Sequence, residues 1–161
     1  MAIDTLLLTV GNAMMGDDGA GPLLAELLSA APAEGWQVID GGTAPENAVH
    51  QVLAAKPRRV VVFDAADMGL APGELRLVDD GAIADMFIMS THDLPITFLI
   101  ERLREEVEEV LFLGLQPDVV AFYFPMTPCV DAAVRALHAR LAAGQGLDGV
   151  FWLVAGDEHK A

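Results

Sequence analysis

Apolar and polar positions alternate along this chain in blocks. Thr5–Val10 is a continuous aliphatic run, the pattern of a strand covered on both faces. Pro22–Ala30 then sets Leu23, Leu24, Leu27 and Leu28 on one face of a helix. Trp36–Ile39 reads as a short strand, Gly41–Pro45 as a loop and Glu46–Ala55 as a helix. Arg59–Phe63 is a β-branched strand ending at Asp64, and Glu74–Val78 alternates in the manner of an edge strand. Pro95–Val107 reads as a helix entered behind an Asp93 cap, with Pro95 in its first turn. Val110–Leu115 is another buried strand and Pro128–Ala142 the last helix. Strands separated by helices of this length predict an α/β fold in three layers, a mostly parallel twisted sheet flanked by helices on both faces.

Composition narrows the partners. The 161 residues are expected to form a single domain, 1–161, whose glycine-rich and then charged tail, 144–161, is expected to be poorly ordered. A hydrophobic share of 53% with 20% charged residues is that of a globular protein, not a disordered one. The net charge is −15, from 24 acidic and nine basic side chains. Nine cations cannot neutralise a phosphate backbone, so nucleic acid and anionic membrane are not expected as partners. A cation or a basic protein segment suits this charge better. Cys129 is the only cysteine, which excludes an internal disulfide and a thiolate metal cluster within one chain. The start of the chain has no basic region before its short apolar run, and no stretch of about 18 apolar residues appears. The expected location is the cytoplasm, with no membrane contact.

The candidate chemistry gathers at strand ends. Gly11-Asn12-Ala13-Met14-Met15-Gly16-Asp17-Asp18-Gly19 follows the first strand and leads into a helix. A nucleotide-binding fold presents bare glycine amides to phosphate at such a junction; two carboxylates repel phosphate and point to a cation or to acid–base work. Asp64 ends the third strand, and His92 precedes the Pro95 helix. In a parallel sheet these ends share one edge, so Asp18, Asp64 and His92 can converge. Two carboxylates and an imidazole suit Ni²⁺ or Zn²⁺ better than Ca²⁺, which takes more oxygens. Each residue also has a plainer reading: an N-cap for Asp17 or Asp18, loop-amide satisfaction for Asp64, a surface position for His92. Asp40, at the end of the second strand, is a candidate general base or outer partner, although Asp-Gly also favours a simple turn. The Gly41–Asn47 loop offers close backbone approach and the Thr43 hydroxyl to a substrate, or merely enters a helix. Met14, Met15, Met68, Met86, Met89 and Met126 could line an adaptable apolar peptide groove, or fill the core. Cys129, His50, His138 and His159 read as structural or solvated.

The segments VGNAMMGDDGAGPLLAE, VIDGGTAPEN, VVFDAADMGLAPGE, MFIMSTHDLP, FLGLQPDVV and FYFPMT, in this order from Leu6 to Ala142, resemble the hydrogenase maturation endopeptidases. The likeness is strongest to the type serving hydrogenase 3 and formate hydrogenlyase. The resemblance implies a cytosolic α/β domain of phosphorylase/hydrolase-like architecture. It implies removal of a C-terminal extension from the nickel-loaded precursor of a NiFe-hydrogenase large subunit. It places the family's metal-contacting residues on Asp18, Asp64 and His92, where some relatives carry Glu at the first position. Nickel would then arrive with the substrate, and the isolated protein would be metal-free or hold another divalent ion. The attacking group is a carboxylate or a metal-activated water; no His-Glu-x-x-His pattern of ordinary zinc proteases is present. A monomer or weak homo-oligomer is expected. Two other readings use the same residues. A peptidyl-tRNA-hydrolase-like esterase shares the Gly-Asn after the first strand but not the charge. A non-catalytic nickel chaperone or sensor would leave the extension attached.

Overall fold

The computed structural model describes residues 4–85 and 96–155. Six strands form one sheet in the order β2-β1-β3-β5-β4-β6. They are β1 (Thr5–Thr9), β2 (Trp36–Asp40), β3 (Arg59–Ala65), β4 (Leu75–Val78), β5 (Glu109–Leu115) and β6 (Trp152–Leu153). The first four in that spatial order, β2, β1, β3 and β5, run parallel; β4 lies antiparallel to β5, and β6 parallel to β4. The helices are α1 (Ala20–Ala30), α2 (Val49–Ala54), α3 (Asp80–Asp85), α4 (Ile96–Arg104) and α5 (Pro128–Ala142). The expected three-layer, mostly parallel fold is therefore present.

Strand alternation divides the core in two. Leu7, Val61, Phe63, Leu113 and Leu115 face α1 and α5, burying Leu24, Leu28, Val130, Val134, Leu137 and Leu141. Leu6, Leu8, Val60, Val62, Val110 and Phe112 face the other way, against Val49, Val52, Ile83, Leu99, Ile100 and Leu103. Because both faces are covered, these strands show no polar alternation, and their aliphatic runs are the signal that reveals them. His138 is structural as expected, its Nε2 lying 2.9 Å from the Ala31 carbonyl at the end of α1.

One expectation needs correction. β4 is not the sheet edge, because β6 pairs outside it through Leu77↔Trp152 and Val78↔Leu153. In the described part of the tail after Gly144, Leu147 and Val150 pack on the α1–α5 core, and Arg140 donates to the Asp148 carbonyl at 2.7 Å. Apolar side chains spaced among the tail's glycines supply the burial that composition alone conceals. Residues 156–161, with His159, lie outside the described residues, as do Met86, Met89, His92, Asp93 and Pro95.

The crossovers place the chemistry. From β1 the chain moves out to β2 and returns across β1 to β3, so the direction of winding reverses between β1 and β3. In open α/β sheets such a reversal, at the C-terminal ends of the strands, is where ligand sites form. Asp18 follows β1, and Asp64 is the penultimate residue of β3.

Candidate active site

Three connections meet at that point: 10–19 after β1, 66–74 after β3 and 116–127 after β5. The first makes its turn on glycine. Gly11 has φ +144°, and a Cβ there would lie 2.1 Å from the Asp18 carbonyl oxygen. Its amide donates to Gly42 O at 2.9 Å, which seats the Gly41–Gly42 loop against the same turn. Gly16–Gly19 is a 3-10 turn whose four residues are all buried.

The adjacent aspartates take different roles. Asp17 is fully buried. Its Oδ2 accepts the amides of Asp118 at 2.8 Å and Val119 at 3.0 Å, and its Oδ1 accepts the Thr127 amide at 2.7 Å. The Thr127 hydroxyl lies 2.8 Å from Oδ2 and 3.0 Å from Oδ1. Asp17 is thus no cap of its own helix; it clamps the β1 turn to the β5–α5 connection. Thr127 stands at the N-cap of α5, yet its side chain turns to Asp17 instead of capping. Removing this carboxylate strands three amides and a hydroxyl, each worth about 1–3 kcal/mol when left unsatisfied. Asp17→Ala is expected to lose about 3 kcal/mol or more, lowering Tm by roughly 6–12 °C. A melting curve within 2 °C of wild type, as a rough margin, would contradict the clamp.

Asp18 is also buried, and its Oδ2 accepts the Asn12 amide at 2.8 Å. Asp64 is equally buried, and among the described residues neither of its oxygens has a hydrogen-bond partner. Burial pushes its carboxyl well above the usual carboxylate range, and the charge of Asp18 pushes in the same direction. The Ala65 amide opposes the shift without forming a hydrogen bond of regular geometry. A buried carboxylate beside a second one, with no donor among the described residues, calls for a positive partner. A divalent cation would supply one and let both groups ionise. The described residues hold two acidic donors here but no group of three His, Cys, Asp or Glu that could complete a metal site.

The structure does not bring Asp40 to this pair. Thr9 registers with both Asp40 and Phe63, and Phe63 faces α1 and α5. Alternation turns Asp64 to the opposite face, and two strand spacings, about 10 Å, separate the strands that carry the two aspartates. Asp40 Oδ1 accepts the Thr9 hydroxyl at 3.2 Å and the Gly42 amide at 3.0 Å, which is turn chemistry. Thr43 is exposed on the neighbouring loop.

Gln116 is a positioning residue that the sequence reading passed over. It is buried at the end of β5; its Oε1 accepts the amides of Met68 at 2.7 Å and Leu70 at 3.2 Å, and its Nε2 donates to Asp67 Oδ1 at 3.2 Å. It holds the loop that leaves Asp64. Its signal was present in the chain: a single amide closing an aliphatic strand before Pro117.

Comparison with known proteins gives a consistent result. A family model described as hydrogenase maturation protease matches residues 22–143. The hydrogenase 3 maturation protease of Escherichia coli K12 is 51% identical over 153 residues, spanning 95% of this chain and 98% of that protein. A crystal structure of a hydrogenase 3 maturation protease superposes with a TM-score of 0.86 at 51% identity, covering 94% of this chain and 97% of the other. A NiFe hydrogenase maturation protease from Thermococcus kodakarensis KOD1 superposes with a TM-score of 0.74 at 25% identity, over 88% and 91% of the two chains.

Proposed function

Since the chain belongs to the hydrogenase maturation protease family and is an endopeptidase of hydrogenase maturation, we propose that it removes a C-terminal extension from the nickel-loaded precursor of a NiFe-hydrogenase large subunit. The observation that supports this reading is Asp64: buried, without a hydrogen-bond donor among the described residues, and beside Asp18. Two such carboxylates at neighbouring strand ends suit a cation, and a metalloprotein substrate brings one.

In this reading Asp18 and Asp64 contact the nickel that the precursor already carries. His92, outside the described residues, is assigned as the third contact on sequence grounds. Carboxylate and imidazole donors suit a borderline transition ion. The contact does two things: it tests whether metal has been loaded, and it sets the scissile peptide at the C-terminal edge of the sheet. Attack on the peptide carbonyl then comes from a carboxylate or from a water at the site. Asp17 and Gln116 act through position: one fixes the turn bearing Asp18, the other the loop leaving Asp64.

His92→Ala tests the assignment. Mass spectrometry of the precursor after incubation is expected to show the extension still attached, while the melting temperature stays near that of wild type. Processing at the wild-type rate would remove His92 from the site.

A further inference from the structure

From the β5–α5 connection into the first turn of α5, residues Val119–Val130 form a run of twelve without a charge, in a protein of net charge −15. At its centre stand Phe122, Tyr123 and Phe124, exposed by 60%, 81% and 57%. The Phe122 and Tyr123 rings lie 5.9 Å apart between centroids. Met14, 52% exposed, joins them from the β1 turn, since the Tyr123 amide donates to the Met14 carbonyl at 2.8 Å. Tyr123 has φ +64°, a left-handed conformation uncommon outside glycine and unfavourable for a bulky residue. Backbone strain that presents three aromatic rings to solvent needs a reason beyond folding, because none of these rings contributes to the core.

The position of the ridge indicates its occupant. It is anchored to the candidate active site by Asp17, whose carboxylate holds Asp118, Val119 and Thr127, and by the Asp17 amide, which donates to Val119 O at 2.8 Å. A polypeptide reaching Asp18 and Asp64 therefore passes beside it. With no charge in the run, the ridge matches an apolar segment better than a basic one. A second copy of this chain seated there would stand in the way of that polypeptide.

We propose that Phe122, Tyr123, Phe124 and Met14 dock an apolar segment of the precursor that flanks the bond to be cut. This rests on the cleavage reaction proposed above. Buried aromatic anchors carry much of the affinity at protein interfaces, so loss of two rings removes tenfold or more. The ridge holds the substrate without touching the reacting atoms, so the loss falls on KM rather than kcat.

The test is precursor cleavage at a series of precursor concentrations, followed by mass spectrometry, together with sedimentation of the enzyme alone. The Phe122→Ser/Phe124→Ser double variant is expected to raise KM about tenfold or more, with kcat within about twofold. Tyr123→Gly separates docking from folding. Glycine accepts the positive φ, so Tm is expected to stay within about 2 °C while KM rises. Wild-type KM in both variants overturns the docking surface, as does a change confined to self-association, which would mark a contact between copies. If the wild-type enzyme leaves the nickel-loaded precursor uncut, the cleavage reading itself fails, and the docking proposal fails with it.

Discussion

Replacing Asp64 with Asn is expected to abolish precursor processing while making the metal-free protein more stable at neutral pH. Most substitutions at buried polar sites do the reverse. The reason lies in the surroundings of Asp64, which has no hydrogen-bond donor among the described residues, almost no exposure to water, and Asp18 as a like-charged neighbour. Its folded pKa is raised, so between the unfolded and folded values the native state binds more protons than the unfolded chain. Stability linked to this group is complete below the unfolded value, near 3.8, and is lost as pH rises through the raised folded value. Asparagine cannot ionise, so its variant lacks that loss. Each kcal/mol relieved raises Tm by roughly 2–4 °C in a domain of this size. Activity moves in the opposite direction. Partners one step removed from a metal ligand are worth 10–100-fold, so loss of a direct carboxylate contact is expected to slow processing by about 100-fold or more. Thermal melts across pH with a chelator, run beside the processing assay, check both halves. Parallel pH profiles for wild type and variant would contradict the buried charge, and retained processing would contradict the role of Asp64.

This pattern, a residue that destabilises the fold it sits in, separates the site from its support. Asp17 and Asp18 are neighbours in sequence and equally buried, yet one accepts amides from across the molecule and the other stands beside Asp64. The two neighbours therefore have different expected roles: Asp17 fixes the turn, and Asp18, in the proposed reading, works with Asp64 on the substrate's metal.

The sequence revealed most of the frame. Aliphatic runs covered on both faces identified β1, β3 and β5, and leucines at helical spacing identified α1. Strand-end placement brought Asp18 and Asp64 to one edge before any register was known. What stayed hidden depends on long-range geometry. The partners of Asp17 lie 101–110 residues away, so its role as a clamp left no local trace. Asp40 and Asp64 both end strands, but which face each takes depends on the register of β1 with its two neighbours. The β6 pairing rests on two residues in a glycine-rich stretch, too short for a periodic signal. The aromatic ridge was visible as letters but not as a surface, because its exposure follows from where Asp17 pins the connection.

Metal dependence is the second large effect. In the proposed reading Asp18 and Asp64 engage the metal that the precursor carries, and an unloaded precursor lacks that contact. A precursor without nickel is therefore expected to bind poorly at the site and to escape cleavage, which would couple proteolysis to metal loading. The decisive measurement is mass spectrometry of one precursor preparation, divided into nickel-loaded and nickel-free portions and incubated with the wild-type enzyme. The account predicts loss of the C-terminal extension in the loaded portion alone. Equal trimming of both portions would contradict it.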